Sequence, residues 1–595
     1  MKARRPLRPS TLALALALAG AASPAFALGC KYERTGDSVV LSRNDLETNR
    51  NSYYGWGSSR ARVPFDATGL DRLDVRNCLI DDIEHAVLVT DRPIEIVIDN
   101  GVLPPGSTAG PYDTFIDLSQ RFVNAVAGST ARNRLVVNGG RILSTRGTDG
   151  PVPFDVVFNG GAFGGAGNIL RFDPNGLVRD GDHLAINGGE LTDRIELGGG
   201  ADTVNVTGGD GSDALTVYGD GSTYVASVLN TFGNRFDDTF TFTGGRIDRV
   251  HGDSGDDEAP LDASGMYVGT GAPAGNDRFV LDGGWVRYIM GDDGDDHLDV
   301  RGQSTLYEFR GGFGSDTVDV AAGASLDHIY TFEGDSGSGT PLDGYRSRKT
   351  NVDVIRFHGH TFNIASDQNH GCASGSSSCS KHVDVHGFER VELLDGTHVT
   401  IHAEPNALYG RTLGDGTQVD GQSLLIDATS SLATRSNGLY ASTIHLSVVN
   451  DGTIDLGQDA AGDVLDISGD WSGTGRVLMS TVFGGDASAT DRLRIAGDVT
   501  GRTVLDIAQA AGSEGAQTVD GILVVDVRGT SANDAFVLTA PVTTANGLWQ
   551  YRLEKAGSGV NAGKFVLTSA VPAKDPPTTP PPTNPPPSPP PGGTP

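Results

Sequence analysis

Short stretches of alternating apolar and polar residues recur along most of this chain, and an acidic residue opens each one. Examples are Asp182-His-Leu-Ala-Ile, Asp193-Arg-Ile-Glu-Leu, Asp202-Thr-Val-Asn-Val, Asp213-Ala-Leu-Thr-Val and Asp238-Thr-Phe-Thr-Phe. The pattern continues through Asp277-Arg-Phe-Val-Leu, Asp296-His-Leu-Asp-Val and Asp316-Thr-Val-Asp-Val, and returns at Asp463-Val-Leu-Asp-Ile and Asp491-Arg-Leu-Arg-Ile. A period of two sends one face of a strand inward and the other outward. The expected inner positions are Leu184 and Ile186, Val204 and Val206, Leu215 and Val217, Phe240 and Phe242, Leu298 and Val300, and Val318 and Val320. These are expected to form core and to carry no chemistry.

The spacing of the pattern indicates how the strands assemble. Asp277, Asp296 and Asp316 are 19 and 20 residues apart, and Asp182 to Asp202 and Asp193 to Asp213 each span 20. A unit of that length, holding two or three short strands, can bury its inner face only by stacking on the next unit, as in a solenoid. The expectation is an all-β chain forming a right-handed parallel β-helix of roughly 25 rungs, on the order of 120 Å long at ~4.8 Å per rung. Between Asn363 and Lys381 the alternation lapses into Ser, Gly, Asn and two close cysteines, which reads as a loop thrown out from the rod.

Composition supports this. The chain has 595 residues with 83 glycines, 4 methionines and 7% aromatics, which suits many tight turns and suits a helical core poorly. The net charge of −30 argues against nucleic acid as a partner and favours cations, calcium included. The first residues read as a secretory signal: Lys2 to Arg8 basic, Thr11 to Ala22 apolar, then Ala25-Phe26-Ala27 with cleavage after Ala27. No later segment has the run of ~18 apolar residues that a membrane helix requires.

Four cysteines in an exported chain suggest two disulfides, Cys30 with Cys78 and Cys372 with Cys379. Leu28-Gly29-Cys30 also makes a loose lipobox, but lipidating Cys30 would orphan Cys78. The division expected is a signal peptide over 1–27, a β-helix body over 28–410, a C-terminal module over 411–570 and a linker over 571–595. That linker holds 13 prolines in its last 24 residues and reads as disordered polyproline II.

The C-terminal module carries a family signature. Asp491-Arg-Leu-Arg-Ile-Ala-Gly, Gly521-Ile-Leu-Val-Val-Asp-Val, Ala535-Phe-Val-Leu, Gly547-Leu-Trp-Gln-Tyr-Arg-Leu and Lys564-Phe-Val-Leu stand in order before the Pro-rich tail. They resemble the C-terminal passenger module of pertactin-like autotransporters over about 120 residues. The resemblance implies a cap that assists folding, export through the periplasm to the outer membrane and cell surface, and release into the medium as a further outcome. It also implies an outer-membrane β-barrel translocator. This sequence stops at Pro595 without one, so the barrel is expected beyond that residue.

Several motifs invite chemistry. Gly208 to Thr216 and Gly311 to Asp319 fit a glycine-rich calcium nonapeptide, and Gly291 to Asp299 misses it by one residue; Asp213, Asp296 and Asp316 are the candidate calcium ligands. Calcium rolls need such repeats in tandem, which these are not, so an acidic rung corner is the plainer reading. Gly334-Asp-Ser-Gly spells a serine-protease nucleophile loop, but no histidine segment accompanies it, and the same letters open an acidic corner at Gly252. Gly36-Asp-Ser resembles an esterase motif without the preceding apolar strand. His358, His360, His370, Cys372, Cys379, His382 and His386 could ligate zinc, though a close cysteine pair in an exported chain more often forms a disulfide. Polysaccharide cleavage is disfavoured because no basic cluster stands out to hold an acidic sugar. These residues favour contact over catalysis: an adhesin for host or abiotic surfaces or for copies of itself. An enzyme passenger and a calcium-stiffened rod are the alternatives.

Overall fold

In a computed structural model the chain folds as a parallel β-helix, with no helix among its described residues. The structure describes 30–43, strand segments between 65 and 252, and then 275–335, 352–364, 382–402, 412–413, 422–435, 442–457 and 460–570. Ala27, Cys78, Cys372, Cys379, most of the loop through Lys381 and the Pro-rich tail lie outside these residues. The Cys30 side chain is likewise not described, so neither expected disulfide is tested.

The first face is a 17-stranded sheet. Its strands stay in register at the inward positions, with one irregularity after Ile98, so the inner residues form two unbroken columns. One runs Val39, Leu73, Ile96, Leu135, Val156, Leu184, Val204, Phe240, Phe279, Leu298, Val318, Ile355, Val391, Leu424, Val448 and Trp471, all buried. The second column starts at Leu41, includes Phe242, Val300 and Val320, and ends on Asn450, which is buried and donates from Nδ2 to the Arg476 carbonyl at 3.1 Å. Like residues stack within the core, as where Phe240 lies on Phe279 with ring centroids 5.0 Å apart. A parallel sheet buried on its inner side requires this apolar continuity, because each rung has only its neighbours to exclude water.

A second face runs from Asp113–Thr114 to Phe536–Leu538, and a third from Thr412–Leu413 to Ile522–Val527. The expected core pairs at 184/186, 204/206, 240/242, 298/300 and 318/320 are all buried on the first face. Leu215 and Val217 instead lie in Asp210–Tyr218 on the second face, where Val217 registers with Ile195 and Val250. The Asp-led pattern therefore marks strands on more than one side of the coil.

The rung count falls below the ~25 expected. Neighbouring strands hydrogen-bond directly, so no rung can intervene, and among the described residues only single bridges at Val499 and Ser531 extend the first face beyond the 17 strands. Rungs differ in length along the chain: Asp316 and Asp353, 37 residues apart, occupy successive rungs. The stack is thus on the order of 85 Å long at ~4.8 Å per rung.

Both ends are closed by antiparallel strands. Cys30–Thr35 pairs back on Ser38–Arg43, which makes Gly36-Asp37 a hairpin turn and not an esterase loop. At the other end Phe565–Ala570 lies antiparallel on Ile522–Val527, followed outward by Gln550–Lys555 and Val542–Thr543. Such caps remove the open edge that would otherwise template pairing with another chain.

Candidate functional site

The glycine- and aspartate-rich corners contain a buried ladder of side-chain to backbone hydrogen bonds. The Oδ1 atom of Asp277 accepts from the Asp238 N–H at 2.7 Å, Asp296 from Asp277 at 2.7 Å, Asp316 from Asp296 at 2.8 Å and Asp353 from Asp316 at 2.8 Å. Glu389 ends the run by accepting from Asp353 at 2.8 Å. The second carboxylate oxygens face Gly252, Gly291, Gly311 and Gly334, where a methyl group would collide with the carboxylate and, at Gly291 and Gly311, with a carbonyl of the next rung. Glycine is demanded here by close approach.

A second ladder runs the other way at the residue before each aspartate. Asn276 donates its N–H to Asp237 Oδ1, Asp295 to Asn276 Oδ1 and Ser315 to Asp295 Oδ1, each at 2.8 Å. The two ladders staple successive rungs in opposite senses.

These ladders relocate several sequence candidates. Asp296 and Asp316 stand on adjacent rungs, each with one oxygen committed to a backbone N–H, while Asp213 belongs to the second-face strand Asp210–Tyr218. The structure therefore does not bring the three together. Gly252 and Gly334, which begin the two Gly-Asp-Ser-Gly sequences, are corner glycines of the ladder, and Ser336 lies outside the described residues. Of the proposed zinc cluster, His358 meets Asp395 Oδ2 at 2.8 Å and His360 Nε2 meets the Ala321 carbonyl at 2.8 Å. His370 falls outside the description, as do the side chains of His382 and His386.

A group not singled out in the sequence stands on the outer side of the first face. His297, Asp299 and Asp319 bring their ligand atoms within 4.8 Å of one another. Arg278 and Arg301 pair with Asp299, the latter at 2.9 Å, and Arg356 reaches Asp319 at 3.3 Å. Three guanidinium groups around two carboxylates make this an ion-pair network along the sheet.

The outer side of the second face is different in kind. Arg246 lies over the Trp285 ring at 4.1 Å, and Arg249 and Arg287 lie 5.4 and 5.0 Å from the Tyr288 centroid. Tyr288, Tyr307 and Tyr330 follow on successive rungs with centroids 5.7 and 5.6 Å apart. Asp248, buried beneath, pairs with Arg287 at 3.3 Å and Arg249 at 3.6 Å. Burial works against the Arg287 charge, but Tyr288 and Asp248 raise its pKa above the ordinary arginine value. Sequence reading missed this row because its members are scattered over 85 residues from Arg246 to Tyr330. The only usable signal was the register of the rungs.

The C-terminal cap repeats the ladder principle. Asp491 accepts from the N–H groups of Gly462 at 2.8 Å, Asp463 at 2.9 Å and Ser480 at 2.6 Å. Burial nevertheless pushes its pKa up to about 6, against the pull of these donors. Tyr551, fully buried, accepts at its hydroxyl from the Ala516 N–H at 3.0 Å and lies 2.9 Å from the Gly484 carbonyl oxygen. Trp471 donates from Nε1 to Thr503 Oγ1 at 2.9 Å.

The chain is thus a parallel β-helix closed at its C-terminal end by antiparallel strands. Residues 413–553 match the family model of the type 1 autochaperone domain. The chain is 31% identical over 199 residues to the uncharacterized protein YuaQ of Escherichia coli K12, covering 32% of this chain and 14% of that protein. It is 37% identical over 137 residues to the adhesin BmaC autotransporter of Brucella suis, covering 22% and 4%. With the autotransporter adhesin AIDA-I of Escherichia coli the identity is 36% over 121 residues, covering 20% and 9%. The chain spans only a small part of the length of each of these relatives. Together the autochaperone match and these relatives support reading the chain as an autotransporter passenger.

Proposed function

We propose that this passenger acts outside the cell as an adhesin, making contact with host or abiotic surfaces or with copies of itself on neighbouring cells. The observation that carries this reading is the unbroken register of the two inner columns. Register that holds inside also holds outside, so outward side chains form rows repeated rung after rung along the stack. Many weak contacts along such rows sum to a large avidity without any dominant residue. Two of the relatives are named as adhesins, which supports the same reading. The reading includes a signal peptide cleaved after Ala27, a β-barrel translocator as partner, and release of the passenger into the medium as a later step.

The test is display of the chain, joined to a translocator barrel, on a bacterium that neither clumps nor attaches. Settling rate and attachment to glass and to epithelial cells are expected to rise once antibody labelling shows the passenger on the surface. Labelled cells that behave like the parent would overturn the proposal. Turnover of a polysaccharide or protein substrate that is lost in Ser336→Ala would replace it with an enzymatic reading.

A further inference from the structure

We propose that the row of Trp285, Tyr288 and Tyr307, together with Arg246, Arg249 and Arg287, binds an acidic polysaccharide laid along the axis of the stack. This deepens the contact reading by naming a partner for one face, and it rests on that reading only for its biological setting.

Three observations support it. The first is pitch. Tyr288, Tyr307 and Tyr330 present rings at intervals of 5.7 and 5.6 Å, a spacing set by the separation of the strands and close to the length of one pyranose unit. The rings are inclined to one another, by 76° between Tyr288 and Tyr307 and 42° between Tyr307 and Tyr330, so a glycan running across the strands stacks a sugar on one ring face and meets the next ring edge-on.

The second is the chemistry of the cations. The Arg249 and Arg287 side chains are 47% and 43% exposed, yet each rests near a ring that limits its freedom. A guanidinium held this way keeps outward N–H groups in a planar fork that matches a carboxylate or sulfate. The third is charge. On a chain with a net charge of −30, Arg246, Arg249 and Arg287 gather around Trp285 and Tyr288 with Asp248 buried beneath, while Glu308, in register with Tyr288, is engaged by Arg310. A polyanion that the acidic remainder of the chain repels finds cations at this place.

The experiment is titration of the full chain with oligogalacturonate, with an uncharged maltooligosaccharide of equal length and with single-stranded DNA, followed by calorimetry. Oligogalacturonate is expected to bind saturably, and the maltooligosaccharide at least ~10-fold more weakly. Arg287→Gln and Tyr307→Ala should each weaken oligogalacturonate binding about 10-fold, while Arg301→Gln on the first face leaves it unchanged. No saturable binding by the unaltered chain, equal binding of the neutral oligosaccharide, tighter binding of DNA, or indifference to both variants would each overturn the proposal. Should Tyr307→Ala melt early, Arg287→Lys makes the same test. It keeps the charge and loses the planar fork, so an unchanged affinity there overturns the proposal. Cells that still adhere while the chain ignores oligogalacturonate would remove this ligand and leave adhesion standing.

Discussion

At the scale of single residues, the aspartate that opens each alternating stretch is a stapling group. Asp316 lies fully buried with its Oδ1 on the Asp296 N–H, and the neighbouring Gly311 leaves space for its second oxygen. Asp316→Ala is expected to destabilise the fold by about 1–3 kcal/mol, since a buried N–H loses its acceptor. Gly311→Ala should cost ~3 kcal/mol by overpacking the same corner. Denaturant melts check both. Because an N–H group already occupies one oxygen of each ladder carboxylate, a chelator is expected to leave the melting midpoint of the unaltered chain in place.

Asp491 belongs to the same pattern, but its titration sets it apart. Its pKa is raised by burial to about 6 from an ordinary 3.8, so the folded state binds a proton more tightly than the unfolded chain does. The contribution of this group to stability is therefore fully present below pH ~4, falls as the pH rises through the window from ~4 to ~6, and is lost above it. Asp491→Asn removes that proton equilibrium and sets an amide N–H₂ against backbone donors it cannot satisfy. The variant is expected to melt earlier than the parent, with a smaller shift in midpoint between pH 5 and pH 7. An equal shift in parent and variant would show that Asp491 does not titrate in this range.

At the scale of elements, each end of the parallel stack needs a different solution from its interior. Interior strands such as Phe279 to Leu281 find a partner on both sides, whereas Ile522–Val527 would expose an unpaired edge without the antiparallel strands laid over it. Tyr551 fixes that cap by joining Gly484, Ala516 and its own strand through one hydroxyl. Tyr551→Phe should cost roughly 1 kcal/mol, because it leaves the half-buried Ala516 N–H without its acceptor. Hydrogen exchange would report this as faster exchange in 542–570 with the β-helix body unchanged. The Gly547 to Leu553 motif was legible in the sequence as a family signature, yet its purpose was not, since the groups it joins are 35 and 67 residues away along the chain.

At the scale of the whole molecule, the stack is an extended object whose function is expected to reside on its sides. Alternation in the sequence made the β-helix legible, because burial of every second residue is a local property of each strand. Rung number was not legible: the 19- and 20-residue spacing near Asp277 to Asp316 is the compact case, and the 37-residue step to Asp353 is still a single rung. The Asp213 stretch matched the repeat and still fell on another face, for the same reason.

The sequence by itself determined the strands, the inward residues such as Phe240 and Leu298, and the identity of the C-terminal module. Each of these is written in contiguous residues, as a periodicity of two or a motif of fixed order. Only the tertiary structure decided which outward residues become neighbours. Arg246 meets Trp285, and Tyr288 meets Tyr307, because rungs of unequal length come into one register, and that register is set by core packing and corner hydrogen bonds between residues far apart in the chain.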